Sequence, residues 1–306
     1  MNFLSLQEHK FLEQYPATKL LLENNTQPSE GKNLAHYLAA LGQVELLQQF
    51  LGLYPHNAVR QCKAGMSPLM EAVSKGHIDV VLFLLDNREG LKINLAARNC
   101  RGQTVLHISV NKQHRHITSI LLSQGVLVDA LDAKGNSALL CAVGGGFEQD
   151  SWLLIERHAN VNLSTKGKLF TPLILAASLM KFDLCKVLLT NGARINEVDA
   201  KGRSALDYVV RARFKNEKLK QFENVAICDK VIKLFCNNGV DAQSLEQHLG
   251  AHIWAKDVHY AKLADAIYKL DMLQLRSLCG EKTMLPNFHR LLHACSQKFP
   301  KGIVSF

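Results

Sequence analysis

The chain has 306 residues, 47% of them hydrophobic, and carries a net charge of +9 at pH 7. No run reaches the roughly 18 uninterrupted apolar residues of a transmembrane helix, so none is expected. The positive charge favours acidic partners by electrostatic steering and does not specify nucleic acid. None of the eight cysteines stands in a Cys-x-x-Cys pair and no signal-peptide pattern is found, so we expect reduced thiols and a cytoplasmic protein.

The N-terminal residues 1–30 are apolar in part but repeatedly interrupted. Pro16 divides the apolar residues of positions 3–24 into two predicted helical pieces, because proline breaks the interior of a helix. Residues 24–30 are rich in Asn, Thr, Gln, Pro and Ser and are predicted to form a loop. We expect the whole segment to act as a cap on the repeating units that follow it, since the ends of stacked repeats need one.

A short motif then recurs along the chain, consisting of a glycine, a Thr, Ser or Asn two residues later and the start of a helix. The first three intervals between the opening glycines are 34, 37 and 33 residues. A further unit fits at Thr171, where the opening is lengthened by two residues. The opening glycines are Gly31, Gly65, Gly102, Gly135 and Gly202.

The chemistry of one unit explains the motif. Glycine permits the positive φ of a tight turn, and the hydroxyl of Ser67, Thr104 or Thr171 can cap the helix that follows. Pro68 and Pro172 come next, at the first helical position, where a missing N–H has no cost. Each unit then shows a second helix with apolar pairs at i and i+4.

At a period near 33 residues, this pattern resembles the ankyrin repeat. The resemblance is strongest over residues 31–210 and implies an all-α solenoid of about six to seven helix-turn-helix repeats with short β-turn fingers and helical caps. Residues 1–30 would form the N-terminal helical cap and residues 31–241 the repeats. The sixth repeat has a basic insertion at about 211–228 that is expected to extend both of its helices. Residues 242–306 would form degenerate repeats and a C-terminal cap.

The resemblance also implies where a partner binds. Ankyrin repeats present a concave surface built from the turn beside each opening glycine and from the exposed side of the first helix. These positions carry lysine or arginine in nearly every repeat, which indicates a basic stripe for an acidic segment of a partner, although lysine is also common at any surface turn. The predicted contacts are Lys63, Lys75, Arg101, Lys112, Lys134, Lys201, Arg203 and Arg211, with Tyr37, Leu179 and Tyr208 as apolar contacts.

Few residues are candidates for catalysis or for binding a metal or a phosphate group. His289 and His293 share a helix face and could hold a metal, but Cys295 points away from that face, so no metal site is predicted. His107 occupies the histidine position of the ankyrin motif and is expected to be structural. The three glycines at 144–146 lack the Gly-Lys-Ser/Thr of a phosphate loop and are read as a turn. We therefore predict no catalytic residue and no cofactor.

The resulting hypothesis is a monomeric, non-catalytic scaffold that binds a protein, not nucleic acid. Two alternatives remain: a small cysteine-dependent catalytic region after Gly239, using Cys279 or Cys295, and an anionic membrane-surface binder using residues 211–230, with membrane contact the less favoured. The degenerate repeats and polar surface also resemble the ankyrin effectors, virulence proteins that intracellular bacteria inject into host cells. That resemblance would place the protein in a host cytosol.

Overall fold

A computed structural model describes residues 4–16, 19 and 31–239 of the chain. Its contacts divide the chain into two units, Met1–Arg194 and Ile195–Phe306, and each is described by itself. The predictions for the loop at 24–30 and for residues 242–306 lie outside the described residues.

The first unit begins with helix α1, Leu6–Glu13, which lies against the first repeat. A capping box starts the helix: Ser5 N–H donates to Glu8 Oε2 over 2.6 Å, and Glu8 N–H donates to Ser5 Oγ. The second oxygen of Glu8 accepts the backbone N–H of Leu34 over 2.7 Å. The ring of Phe11 packs edge-on against Phe50, with centroids 5.2 Å apart. One buried carboxylate and one aromatic pair therefore join this helix to the repeat that follows.

Five helix pairs follow α1 in the first unit. In each pair the first helix contacts the second, and each helix contacts its counterpart in the next repeat. The first-helix row contains α2 Leu34–Ala40, α4 Pro68–Lys75, α6 Val105–Asn111, α8 Ala138–Gly144 and α10 Pro172–Ser178. The second-helix row contains α3 Val44–Leu53, α5 Ile78–Asp86, α7 Arg115–Ser123, α9 Glu148–Glu156 and α11 Phe182–Thr190, with a 3₁₀ turn at Pro55–Ala58 after α3.

The first helices start where the sequence motif predicts. Ser67 Oγ accepts Met70 N–H over 3.3 Å and Thr171 Oγ1 accepts Ile174 N–H over 3.2 Å. Pro68 stands at the first helical position, as predicted. Capping satisfies amide groups that have no partner inside the helix. The short motif thus fixes where each first helix begins.

The core lies between the two rows. The predicted i, i+4 apolar pairs of the second helices are buried, as Val81 and Leu85 of α5 illustrate. Small residues of the first helices, such as Ala72 and Ala142, are fully buried and let neighbouring helices approach closely. The all-α repeat architecture is confirmed.

The second unit is described over residues 195–239. An isolated bridge between Val198 and Ser204 precedes two long helices, α12 Ala205–Lys218 and α13 Phe222–Asn237, which pack against each other. They contain 14 and 16 residues, against 7 to 10 in the helix pairs of the first unit. Both helices run through the segment predicted as the insertion, 211–228.

Candidate protein-binding surface

The turns that open the repeats form a set of stacked fingers. Each finger is closed by its own backbone: Gly102 N–H donates to Asn99 O over 2.8 Å, and Gly135 N–H donates to Asp132 O over 2.9 Å. The preceding finger is closed in the same way, because Gly65 N–H donates to Cys62 O. The two residues before each glycine form the finger tip: Lys63-Ala64, Cys100-Arg101 and Ala133-Lys134.

Neighbouring fingers are joined to one another. Cys100 N–H donates to Ala64 O over 3.0 Å, and Ala133 N–H donates to Arg101 O over 2.9 Å. The approach is so close that a Cβ added to Gly102 would lie 2.5 Å from the nitrogen of Ala133. Gly102 also has a φ of +70°, a backbone angle that residues with a side chain rarely adopt. The three tips are therefore held in a fixed register, and we call them the finger edge.

Side chains at the finger bases satisfy the turn amides. Asp132 Oδ1 accepts the N–H groups of Lys134 and Asn136 over 2.9 and 2.8 Å. Asn99 Oδ1 accepts the N–H of Arg101 over 2.9 Å in the same manner. The carboxylate of Asp132 is buried against the turn, so the tip side chains are left to face solvent. Lys63, Arg101 and Lys134 are all exposed, and the structure brings these three predicted contacts together.

The C-terminal ends of the first helices add further exposed positions. Lys75 ends α4 and Lys112 caps α6, and both side chains are exposed. In the fourth repeat the equivalent positions are Gly144 and Gly145, and in the fifth they include the exposed Leu179. The basic character predicted for this part of the surface thus gives way to glycine and leucine after the third repeat.

Tyr37 requires a correction. It was predicted as an accessible apolar contact, but only 3% of its surface is exposed. The packing of α2 against α4 covers it, and the ammonium of Lys32 lies 5.8 Å from its ring centroid. Lys32 in turn pairs with Glu71 over 2.8 Å. Tyr37 is therefore a core residue of the first two repeats.

The second unit holds the other four predicted contacts. Lys201 and Arg211 are exposed, whereas Arg203 and Tyr208 are engaged with Asp199. Arg203 Nη2 lies 2.6 Å from Asp199 Oδ2, and the Tyr208 hydroxyl donates to the same oxygen over 2.7 Å. The guanidinium also lies 4.6 Å from the Tyr208 ring centroid. This corrects the prediction that Arg203 is available to pair with a partner, since its charge already has one.

The pKa values in this cluster reflect the pairing. Burial alone would raise the pKa of Asp199, but the hydrogen bonds from Arg203 and Tyr208 outweigh it and hold that pKa well below its usual range. Burial and the hydrogen bond to Asp199 raise the pKa of Tyr208 to about 12. Across the physiological range Asp199 and Arg203 therefore stay charged and Tyr208 stays neutral. Asp199 Oδ1 also accepts the backbone N–H groups of Lys201 and Arg203, which stabilises the turn.

Histidines join repeats along the first-helix row. His107 Nε2–H donates to Asn136 O over 3.0 Å, and His36 Nε2–H donates to Met66 O over 2.8 Å. Burial lowers the pKa of both imidazoles, so they are neutral and lend no charge to the surface. The structural role predicted for His107 agrees with this geometry.

A second histidine contact was missed from the sequence. His114 is half-buried, and its Nε2 lies 3.4 Å from Ser74 O. His77 makes the equivalent contact to Ala40 O over 2.9 Å. The sequence feature that could have indicated these contacts is a histidine directly before the second helix in two successive repeats.

Two of the described thiols, those of Cys141 and Cys185, are poor nucleophiles. Burial raises the pKa values of Cys141 and Cys185 to about 12, so both stay protonated at neutral pH. The fourth repeat's first helix ends at Gly144, and Gly145 and Gly146, the latter with a φ of +74°, form the turn after it. His289, His293, Cys295 and Cys279 lie outside the described residues.

Two further observations concern the described part of the chain only. No group of three or more His, Cys, Asp or Glu side chains there could hold a metal ion. None of the helices there combines the length and apolarity needed to cross a membrane.

Comparison with known families gives a consistent result for the repeats. The model described as ankyrin repeats in three copies matches residues 10–97 and 91–165, and the model of the single ankyrin repeat matches residues 168–200. Together these matches cover the second half of α1 and all five described helix pairs of the first unit.

The chain is also similar to several much larger proteins. An ankyrin repeat and KH domain-containing protein of Caenorhabditis briggsae is 29% identical over 170 residues, which cover 55% of this chain and 6% of that protein. Rabankyrin-5 of Homo sapiens is 27% identical over 178 residues, covering 58% of this chain and 15% of the relative. A glycerophosphocholine phosphodiesterase of Schizosaccharomyces pombe is 24% identical over 225 residues, which cover 70% of this chain and 19% of that protein. The chain thus spans less than a fifth of each of these relatives.

Proposed function

The chain belongs to the ankyrin-repeat family, and from this premise we propose that it is a non-catalytic scaffold whose finger edge binds an acidic segment of a partner protein. The family's repeats serve as protein–protein interaction scaffolds. The charge of the partner is inferred from the exposed residues of the finger edge. The relatives carry different whole-protein names, and the part that this chain shares with them is the repeat array.

The observation that carries the proposal is the fixed register of Lys63, Arg101 and Lys134. The cross-finger hydrogen bonds, 3.0 and 2.9 Å long, hold the backbones that bear these side chains. Charges on adjacent fingers act on a partner together when they lie within about one Debye length, roughly 8–10 Å, and the cross-finger hydrogen bonds hold the backbones of adjacent tips side by side. A surface organised before binding also loses less entropy when a partner docks.

The carboxylate of Asp132 is engaged by the backbone of its own finger. Asp132 faces the turn amides of its own finger, where it accepts two backbone N–H groups. In the first-helix row, Glu71 is paired with Lys32. The exposed tips therefore favour a ligand rich in Asp or Glu. Such a ligand gains roughly 0.2–1 kcal/mol per exposed ion pair.

The alternatives have less support. The catalytic alternative depends on Cys279 and Cys295, outside the described residues, while the described Cys141 and Cys185 are held protonated by burial. A cytosolic site of action fits the free thiols of the described residues, and a single chain suffices to form the finger edge. The effector resemblance draws no support from the nematode, human and yeast relatives, and the proposal does not depend on it.

The test compares two variants of equal charge change. The finger variant carries Lys63→Glu, Arg101→Glu and Lys134→Glu. The control variant carries Lys92→Glu, Arg157→Glu and Lys186→Glu, exposed positions in the second helices or in the turns that follow them.

Fluorescence anisotropy with a glutamate-rich peptide measures the binding of each protein at increasing salt. We expect the finger variant to bind about tenfold or more weakly than wild type, the control variant to bind like wild type within about threefold, and all binding to weaken with salt. Equal losses in the two variants would show that only net charge matters and would overturn the proposal.

A further inference from the structure

The turn between α12 and α13 is tight and well closed. Leu219 N–H donates to Lys215 O over 3.1 Å, and Gln221 N–H donates to Asn216 O over 2.9 Å. Lys220 adopts a φ of +56°, which reverses the chain within three residues. The two helices therefore form a hairpin, and we call residues 215–222 the hairpin tip.

The tip exposes two large apolar side chains. Phe222 is 71% exposed and Leu219 is 56% exposed. Neither is needed to close the hairpin, because the interior is formed by other residues. Those buried residues are Val209, Val210, Cys228, Val231, Ile232 and Phe235. Both side chains therefore present apolar surface to solvent at the tip.

The charges around the tip are mainly positive. Lys215 and Lys220 are exposed, and the segment 215–222 contains three lysines and one glutamate. Further along the hairpin, Arg213 pairs with Asp229 over 2.5 Å, which neutralises that acid. Glu223, at the start of α13, is the exposed acid beside the tip. The net charge of the tip is therefore positive.

We propose that the hairpin tip binds an anionic membrane surface, with Phe222 and Leu219 inserted among the lipids and the lysines at the headgroups. A convex turn with two apolar side chains can enter a lipid surface without a preformed pocket. Lysines close to an anionic surface each strengthen binding by about fivefold. Their aliphatic stems can extend along the apolar region while the ammonium groups stay at the headgroups.

This inference is independent of the finger edge and uses different residues. Binding through one apolar tip and a few lysines is reversible and of modest strength, as for other shallow anchors. It would bring the chain to a membrane surface.

The test measures cosedimentation of the full chain with vesicles of phosphatidylcholine alone and of phosphatidylcholine mixed with phosphatidylserine. One tip variant carries Leu219→Ser and Phe222→Ser, and a second carries Lys215→Glu and Lys220→Glu. The matched control carries Leu53→Ser and Leu127→Ser, which remove side chains 65% and 64% exposed in the first unit. Circular dichroism melting checks that all four proteins fold alike.

We expect wild type and the Leu53/Leu127 control to sediment with the phosphatidylserine vesicles and to stay largely in solution with phosphatidylcholine. Each tip variant should lose binding at least about fivefold. The proposal is overturned if wild type binds neither vesicle, or if the tip variants sediment as wild type does.

Discussion

The finger edge and the second-helix row of the first unit differ in the hydrogen bonding of their buried polar groups and in the sign of their exposed charges. At the finger edge, buried polar groups such as Asp132 and His107 are hydrogen-bonded, and the exposed tips are basic in three successive repeats. The exposed face of the second-helix row instead alternates apolar residues such as Leu82 and Trp152 with charges of both signs. Positive charges that recur on a rigid backbone favour an acidic partner, whereas a surface with charges of both signs favours neither an acidic nor a basic one.

One buried group in the second-helix row shows the difference most clearly. Asp150 is the third residue of α9, the position filled by Ile117 in α7 and Leu184 in α11. It is buried, and its Oδ1 has no hydrogen-bond partner. Burial raises the pKa of Asp150, and the positive charge of Arg115 offsets this only in part. The second-helix row therefore contains a buried carboxylate oxygen without a hydrogen-bond partner. At the finger edge, by contrast, the buried carboxylate of Asp132 is hydrogen-bonded.

The largest effect is expected at the centre of the finger edge. Gly102→Val should lower the free energy of unfolding by about 3 kcal/mol, because a positive φ and a Cβ 2.5 Å from Ala133 N act together. Gly125→Val is the control, since Gly125 has a φ of +71° but no atom within 4 Å of an added Cβ. It should cost only about 1–2 kcal/mol. Chemical denaturation measures both values, and equal losses would show that the fingers are not closely joined.

Removing the inter-repeat imidazole should have the next largest effect. His107→Ala leaves the carbonyl of Asn136 without its donor and opens a cavity, and should cost about 2 kcal/mol. His116→Ala, at an exposed position of α7, should cost less than about 0.5 kcal/mol. Because burial lowers the pKa of His107, wild type should lose stability as the pH falls below 6.5, and the His107 variant should lose less. A pH-independent difference between the two proteins would argue against a buried, neutral imidazole.

A gain in stability is expected in the second-helix row. Asp150→Val should stabilise the fold by about 1 kcal/mol at neutral pH, because it removes an unsatisfied buried carboxylate. Since the folded-state pKa of Asp150 is raised above 3.8, wild type recovers as the pH falls and the carboxylate is protonated. The difference between the proteins should therefore shrink from neutral pH towards pH 3.8. Denaturation at several pH values measures it, with the exposed Asp183→Val as the control; a loss of stability at neutral pH would contradict the account.

The smallest effect is expected from a single surface charge. Arg101→Glu should leave the free energy of unfolding within about 0.5 kcal/mol of wild type. It should weaken binding of the glutamate-rich peptide only about two- to fivefold, as exposed pairs are individually weak. Lys186→Glu, in α11, should leave affinity unchanged. A loss in the Arg101 variant as large as that of the finger variant would mean that one residue, and not the edge, makes the contact.

The sequence predicted what depends on local chemistry. Helix starts at Thr171 and Pro172, and the place of His107 in the motif, follow from short-range spacing. The burial of Tyr37 and the internal pairing of Arg203 did not, because both depend on which side chains the fold brings near them.

The unsatisfied Asp150 shows a second limit. Aligning the second helices by their first residues places it in a core position, which the sequence pattern alone did not reveal. The bonds between neighbouring fingers, such as Ala133 N–H to Arg101 O, join residues 32 positions apart and likewise follow only from stacking.

The most direct test of the central claim is to invert the charge preference of the finger edge. The affinities of wild type, the finger variant and the control variant are measured for a glutamate-rich and a lysine-rich peptide of equal length at low salt. We predict that wild type and the control variant prefer the glutamate-rich peptide, and that Lys63→Glu, Arg101→Glu and Lys134→Glu together reverse the preference. A finger variant that still prefers the glutamate-rich peptide, by the same ratio as the control variant, would contradict the claim that the finger edge is the binding surface.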